Sequence, residues 1–104
     1  MKIFFKGQYQ MIPKQLLRKA GYREFVDPNT RKTSYVRTLQ PGGFYPRFHA
    51  YLDMHDDGFQ VNLHLDQKKP SYGGTAAHAG EYDGAVVERE GARVQQVIDG
   101  MKFV

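Results

Sequence analysis

The chain of 104 residues contains no cysteine. This absence excludes disulfide bonds, thiolate catalysis and zinc sites built on cysteine ligands. Small secreted domains usually depend on disulfides, so we expect a reducing compartment, the cytoplasm. Long apolar runs are also lacking. The first one, residues 3–5, is too short for the core of a signal peptide, and no later stretch predicts a membrane span.

Tryptophan is absent too, but the chain contains seven Phe and seven Tyr. Such rings bury a large apolar area, which a small core needs. Hydrophobic residues make up 40% of the chain and charged residues 25%, values that are typical of a folded domain and exclude a disordered one. Because this length supports one core, we expect residues 1–104 to form a single compact domain.

Acidic residues are scarce in the first half of the chain. Residues 1–47 hold ten Lys and Arg against Glu24 and Asp27, whereas residues 48–104 hold five basic and nine acidic residues. The net charge is +4. This asymmetry indicates one surface that faces a polyanion and another that is acidic. The alternative is that both sets of charges are solvated and only keep the protein soluble.

The pattern of apolar and turn residues predicts an α+β fold, with an antiparallel sheet of four to five strands packed against an N-terminal and a C-terminal helix. Pro13 begins the first helix and Gly21 ends it. The residues after 66 predict a long loop over 67–81, and Asp83 is expected to cap the closing helix. The predicted elements are a strand at 2–6, a helix at 12–20, a hairpin of 22–26 and 33–39, a hairpin of 48–54 and 59–65, and a helix at 84–98.

The second hairpin carries the strongest signal, because its two strands alternate cleanly in polarity. Asp57-Gly58 is a favoured two-residue turn, and it predicts that paired residue numbers sum to 115. A slip of two residues would change the pairs and keep the faces. One face is then apolar, and the other groups His49, Tyr51, Asp53, Asn62, His64 and Asp66.

The polar face supplies the candidate catalytic residues, His49, Tyr51, His64 and Asp66. Opposed residues of a sheet lie about 5 Å apart, so an aspartate can orient an imidazole while a tyrosine or second histidine completes an acid–base pair. Aromatic and polar side chains on an open sheet also stack on nucleobases and hydrogen-bond them. The alternative is an ordinary solvated sheet face. The spacing matches no standard metal signature, and we predict neither a metal nor a cofactor.

Basic residues and a glycine-containing loop supply candidate contacts to nucleic acid or another anion. Arg37 and Arg47 are expected to rim the polar face if they point the same way as His49. The candidate nucleic-acid and anion-binding residues are Arg18, Arg23, Arg31, Lys32, Arg37, Arg47, Lys68, Lys69 and Tyr72.

Three functions fit these patterns. The first is a small nucleic-acid-binding domain whose activity would extend to RNA processing. Its order of elements resembles, in topology alone, double-stranded-RNA-binding and toxin-ribonuclease folds. The second is a small-molecule or metal-dependent hydrolase with its site between the 48–66 hairpin and the 67–83 loop. The third is a non-catalytic protein-interaction domain, such as a homo-oligomer. No membrane partner is expected.

Overall fold

A computed structural model describes residues 1–67 and 76–103, and for residues 76–83 the backbone alone. Over these residues it contains five strands and two helices, which confirms the predicted α+β fold with one antiparallel sheet. The elements are β1 (Lys2–Lys6), α1 (Pro13–Lys19), β2 (Arg23–Val26), β3 (Thr33–Thr38), β4 (Arg47–His55), β5 (Gly58–Asp66) and α2 (Ala76–Asp99).

The five strands lie in the order β1-β5-β4-β3-β2, and every neighbouring pair is antiparallel. Side chains alternate between the two sides of a strand, so the sheet has two chemically distinct faces. Both helices pack on one of them, which we call the inner face. Its hydrophobic core includes Phe5, Leu16, Val61, Leu63 and Ile98.

The central hairpin pairs β4 with β5 in a register two residues away from the predicted one. His55 pairs with Gly58, so the loop is Asp56-Asp57 and the expected Asp57-Gly58 turn is wrong. Gly58 instead begins β5 and pairs with Lys6 of β1. A Cβ atom there would clash with the carbonyl oxygen of Phe5, so the close approach of β1 requires this glycine. Both faces of the hairpin are kept, as the period of two demands.

Helix α2 begins at Ala76, eight residues before the predicted start at Gly84. The expected connection therefore ends earlier, and Asp83 lies within the helix and is not its cap. The sequence around the start reads Ala76-Ala77-His78-Ala79, and alanine has the highest helix propensity of all residues. Those alanines outweigh the glycines on which the prediction of a loop relied.

A buried carboxylate, Glu90, connects α2 to the sheet and to α1. It accepts a hydrogen bond of 2.6 Å from the Tyr22 hydroxyl and one of 2.8 Å from Arg93 Nε, and Arg37 Nη1 lies 3.3 Å from both of its oxygens. Arg93 also donates to the carbonyl of Ala20 at 2.5 Å. These contacts satisfy a charged group that is only 5% exposed. In the described ranges, neither helix is both long and apolar enough to cross a membrane.

Candidate functional site

The sheet surface opposite the helices, which we call the outer face, contains the candidate site. Directly paired residues share a face, and His49 pairs with His64 while Tyr51 pairs with Asn62. Residues 47, 49, 51 and 53 of β4 and residues 60, 62, 64 and 66 of β5 therefore all lie on the outer face. The four candidate catalytic residues are brought together as predicted, although their direct pairing differs. They are His49, Tyr51, His64 and Asp66.

The imidazole of His49 is held at both of its nitrogens. Nδ1 lies 2.8 Å from Asp66 Oδ2, and Nε2 lies 2.6 Å from Ser34 Oγ. An ionised carboxylate only accepts, so Nδ1 carries the proton, and in the neutral ring Nε2 accepts from the serine hydroxyl. Ser34 lies on β3 and was missed by the sequence analysis. An isolated serine within a predicted strand gives no signal of this contact.

The connectivity of Ser34, His49 and Asp66 is that of a nucleophilic triad, in which a carboxylate orients a histidine beside a hydroxyl. A nucleophile must also meet its substrate, and Ser34 is only 2% exposed. Its Oγ also lies 3.4 Å from the carbonyl oxygen of Phe25, an acceptor that competes with His49 Nε2 for the single hydroxyl proton. In this arrangement the three residues fix the plane of the imidazole and leave no open nucleophile.

Aromatic rings continue across the outer face from the fixed imidazole. Tyr51 stacks on His49 with ring centroids 4.6 Å apart and planes 29° apart. His64 meets Tyr51 edge to face at 6.1 Å, and Phe25 meets His49 in the same way at 6.3 Å. We call Phe25, His49, Tyr51 and His64 the ring row. Tyr51 is 36% exposed and His64 is exposed, so this end of the row is open to solvent.

Arg47 lies on the outer face but is not free to bind an anion. Its guanidinium carbon is 4.5 Å from the ring centroid of Phe44, 4.9 Å from that of Phe25 and 5.0 Å from that of Tyr45. Its Nε donates to Asp66 Oδ2 at 3.4 Å, and its side chain is 8% exposed. Arg47 therefore neutralises Asp66 within an aromatic box. Phe44 and Tyr45, which follow the Pro-Gly-Gly break, supply two rings of the box, but the sequence does not show that they meet Arg47.

The other candidate basic residues are divided between the two sides of the molecule. Arg37 pairs with Phe48 of the core, and because opposed residues share a face, Arg37 points to the inner face, where it bonds Glu90. The expectation that Arg37 rims the polar face is therefore wrong. Arg18 is exposed on α1, on the helical side. Arg23, on β2, shares the outer face. Arg31 and Lys32 are exposed between β2 and β3; Lys68, Lys69 and Tyr72 lie outside the described residues.

Two lysines of β1 were not among the candidates and belong to the outer face. Lys2 pairs with Asn62, and Lys6 pairs with Gly58; both lysines are exposed. Between them, Phe4 meets His55 edge to face with centroids 5.4 Å apart. The alternating sequence Lys-Ile-Phe-Phe-Lys contained this signal, since it places residues 2, 4 and 6 of a strand on one side.

A chain of amide and carboxylate groups lies beside the open end of the ring row. Gln60 Nε2 donates to Asn62 Oδ1 at 3.1 Å, and Asn62 Nδ2 donates to Asp53 Oδ2 at 2.9 Å. We call these three residues the amide network. Asn62 is the direct partner of Tyr51 across the β4–β5 pair. The network thus places hydrogen-bonding groups next to an exposed ring.

Among the side chains that the structure describes, no three His, Asp or Glu residues form a group that could hold a metal ion. No protein-family model, no curated protein and no solved structure matches the chain. The function of the chain is therefore inferred from the geometry of the outer face.

Proposed function

We propose that the outer face binds single-stranded nucleic acid, with RNA as the ligand. The observation that carries this proposal is the exposed ring of Tyr51, stacked on an imidazole that Asp66 and Ser34 hold in place. Aromatic rings on an open sheet provide stacking platforms for unpaired bases, because every base has a π-face. A platform that is already rigid loses little conformational entropy when a base binds.

The charges around the ring row support a strand that runs across the sheet. Lys2 and Lys6 are exposed along β1, and Arg23 is exposed on β2, so cations flank the rings on both edges. Lysine and arginine on such a rim neutralise phosphates and release counterions. Aromatic rings on an open sheet suit splayed bases better than the regular backbone of a duplex.

The geometry gives less support to cleavage of the bound strand. Both nitrogens of His49 are engaged, with Asp66 and Ser34. A general acid or base must reach the atom whose proton it transfers. His64, which is exposed and next to Tyr51, satisfies this condition better than His49 does. Cleavage of the strand by His64 and Tyr51 stays a prediction.

Fluorescence anisotropy with a labelled ten-nucleotide single-stranded RNA and a hairpin duplex of similar length tests the proposal. We expect the single strand to bind more tightly, and Tyr51→Ala to weaken its binding about tenfold because one stacked base is lost. Phe103→Ala is the matched control, since Phe103 is 59% exposed and lies outside the outer face. Absence of binding at low salt, or equal losses in both variants, would refute the proposal.

A further inference from the structure

The side of the Tyr51 ring that faces away from His49 is turned toward the amide network. His49, Tyr51 and Asp53 follow each other at intervals of two along β4, and the first two rings stack face to face. One side of the Tyr51 ring therefore covers His49, and the other side points along the strand toward Asp53. A base that stacks on this second side lies over Asn62 and Gln60, the partners of Tyr51 and Asp53 across the sheet.

The group that such a base meets at its edge is the Asp53 carboxylate, which is exposed. An ionised carboxylate offers only acceptors, with about four lone-pair sites on its two oxygens. The Asn62 amide donates to one of these oxygens and orients the carboxylate. The partner that matches it best has two hydrogen-bond donors side by side.

We infer that the base bound on Tyr51 is guanine, an inference that rests on the proposed function. Guanine carries N1–H and the N2 amino group next to each other on its Watson–Crick edge, and a carboxylate accepts from both in a bidentate pair. Adenine and cytosine place a ring-nitrogen acceptor beside their amino group, and uracil flanks its N3–H with two carbonyls. Against a carboxylate these acceptors repel, so Asp53 selects guanine by attraction and rejects the other bases.

The test uses nine-nucleotide RNAs in which a central residue X is flanked by four uridines on each side, with X as guanine, inosine or adenine. Inosine keeps N1–H but lacks the N2 amino group. We expect guanine to bind about tenfold more tightly than adenine, with inosine between them, since a bidentate pair carries discrimination of this size. Asp53→Asn should reduce the ratio of guanine to adenine affinity to within about twofold, because an amide cannot accept both bonds.

Asp56→Asn is the matched control. Asp56 is an exposed carboxylate of the β4–β5 loop outside the amide network, and its replacement removes the same charge. Both variants remove one negative charge, which changes the affinity for every RNA, so the guanine-to-adenine ratio, and not the affinity, reports recognition. Equal ratios in wild type and Asp53→Asn would overturn the guanine inference and leave the binding proposal standing, whereas failure to bind any of the three RNAs would refute the binding proposal itself.

Guanosine monophosphate distinguishes a base within a strand from a free nucleotide. We expect it to compete at least about tenfold more weakly than the guanine-containing nonamer, since it lacks the neighbouring phosphates that Lys2 and Arg23 would contact. Equal competition would overturn the assignment of guanine to a strand.

Discussion

Glu90 shows how one residue determines the attachment of a whole helix. Burial alone would raise the pKa of this carboxyl, but hydrogen bonds from Arg93 and Tyr22 and the charge of Arg37 hold its pKa below the ordinary value of 4.5. The same contact acts on its partner, because burial and the hydrogen bond to Glu90 raise the pKa of Tyr22 well above its ordinary range. The contacts of the cluster therefore favour the ionised form of Glu90.

The lowered pKa of Glu90 determines how the stability of the protein depends on pH. A folded-state pKa below the unfolded value stabilises the protein at pH values above about 4.5, and the contribution is lost as the pH falls through the lowered pKa. We expect Glu90→Gln to lower the free energy of unfolding by about 2 kcal/mol at pH 7, measured with urea, and by much less near pH 3.

Glu88→Gln is the control for this measurement, since Glu88 is exposed on the same helix. It should leave stability nearly unchanged at both pH values. A constant difference between Glu90→Gln and wild type from pH 7 to pH 3 would contradict the assigned role of the charge.

Single residues also mark the limit of what could be predicted. The grouping of His49, Tyr51, His64 and Asp66 was predictable, because side chains in strands alternate with period two whatever the loop. The contacts of Ser34 and the aromatic box around Arg47 were not. They join strands and a loop whose relative placement depends on tertiary packing, which the local pattern of residues does not encode.

Among the elements, the central hairpin illustrates how the correct pair of strands can be predicted from an incorrect turn, although the register differs by two residues. Asp-Gly favours a two-residue turn on its own, but the neighbouring strand β1 approaches too closely for any side chain at position 58. Contact with a third strand therefore decides the register that two strands alone left open. The early start of α2 has the opposite cause, since local alanine propensity outweighs two glycines.

Two glycine substitutions test these explanations of the hairpin register and of the early start of α2. Gly58→Ala should lower the free energy of unfolding by roughly 2 kcal/mol, because its Cβ meets backbone atoms of β1 that cannot move aside. Gly84→Ala, within α2, has nothing within 4 Å of the added Cβ and should raise it by about 0.5–1 kcal/mol. Urea or thermal unfolding measures both. A neutral Gly58→Ala would show that β1 does not require this close approach.

At the scale of the whole molecule, the basic charge is split between the outer face and the helical side. The exposed cations of the outer face are Lys2, Lys6 and Arg23, since Arg47 is buried there, and α1 carries Lys14, Arg18 and Lys19. If binding occurs on the outer face, only the first set neutralises phosphates. The asymmetry of charge along the sequence thus overstates the asymmetry of the surface.

The salt dependence of RNA binding separates the two sets. Replacing Lys2, Lys6 and Arg23, the exposed outer-face cations, by glutamine should reduce the slope of log Kobs against log salt concentration by about 2, at roughly 0.7 for each phosphate contact of a single strand. The same replacement of the three α1 residues removes an equal charge and should leave the slope unchanged. Anisotropy titrations at four salt concentrations measure it, and equal slopes for the two triple variants would exclude a localised site.

One oxygen atom, Asp66 Oδ2, accepts from both His49 and Arg47, and through them it holds Ser34 and the Phe44–Tyr45 segment. These positions come from three strands and the loop before β4, and their contacts are coupled through one atom. A change at any one of them leaves a polar group or a cation without its partner, so we expect the effects of two such changes on stability to be non-additive. Substitutions on this sheet face are therefore expected to occur in coordinated sets.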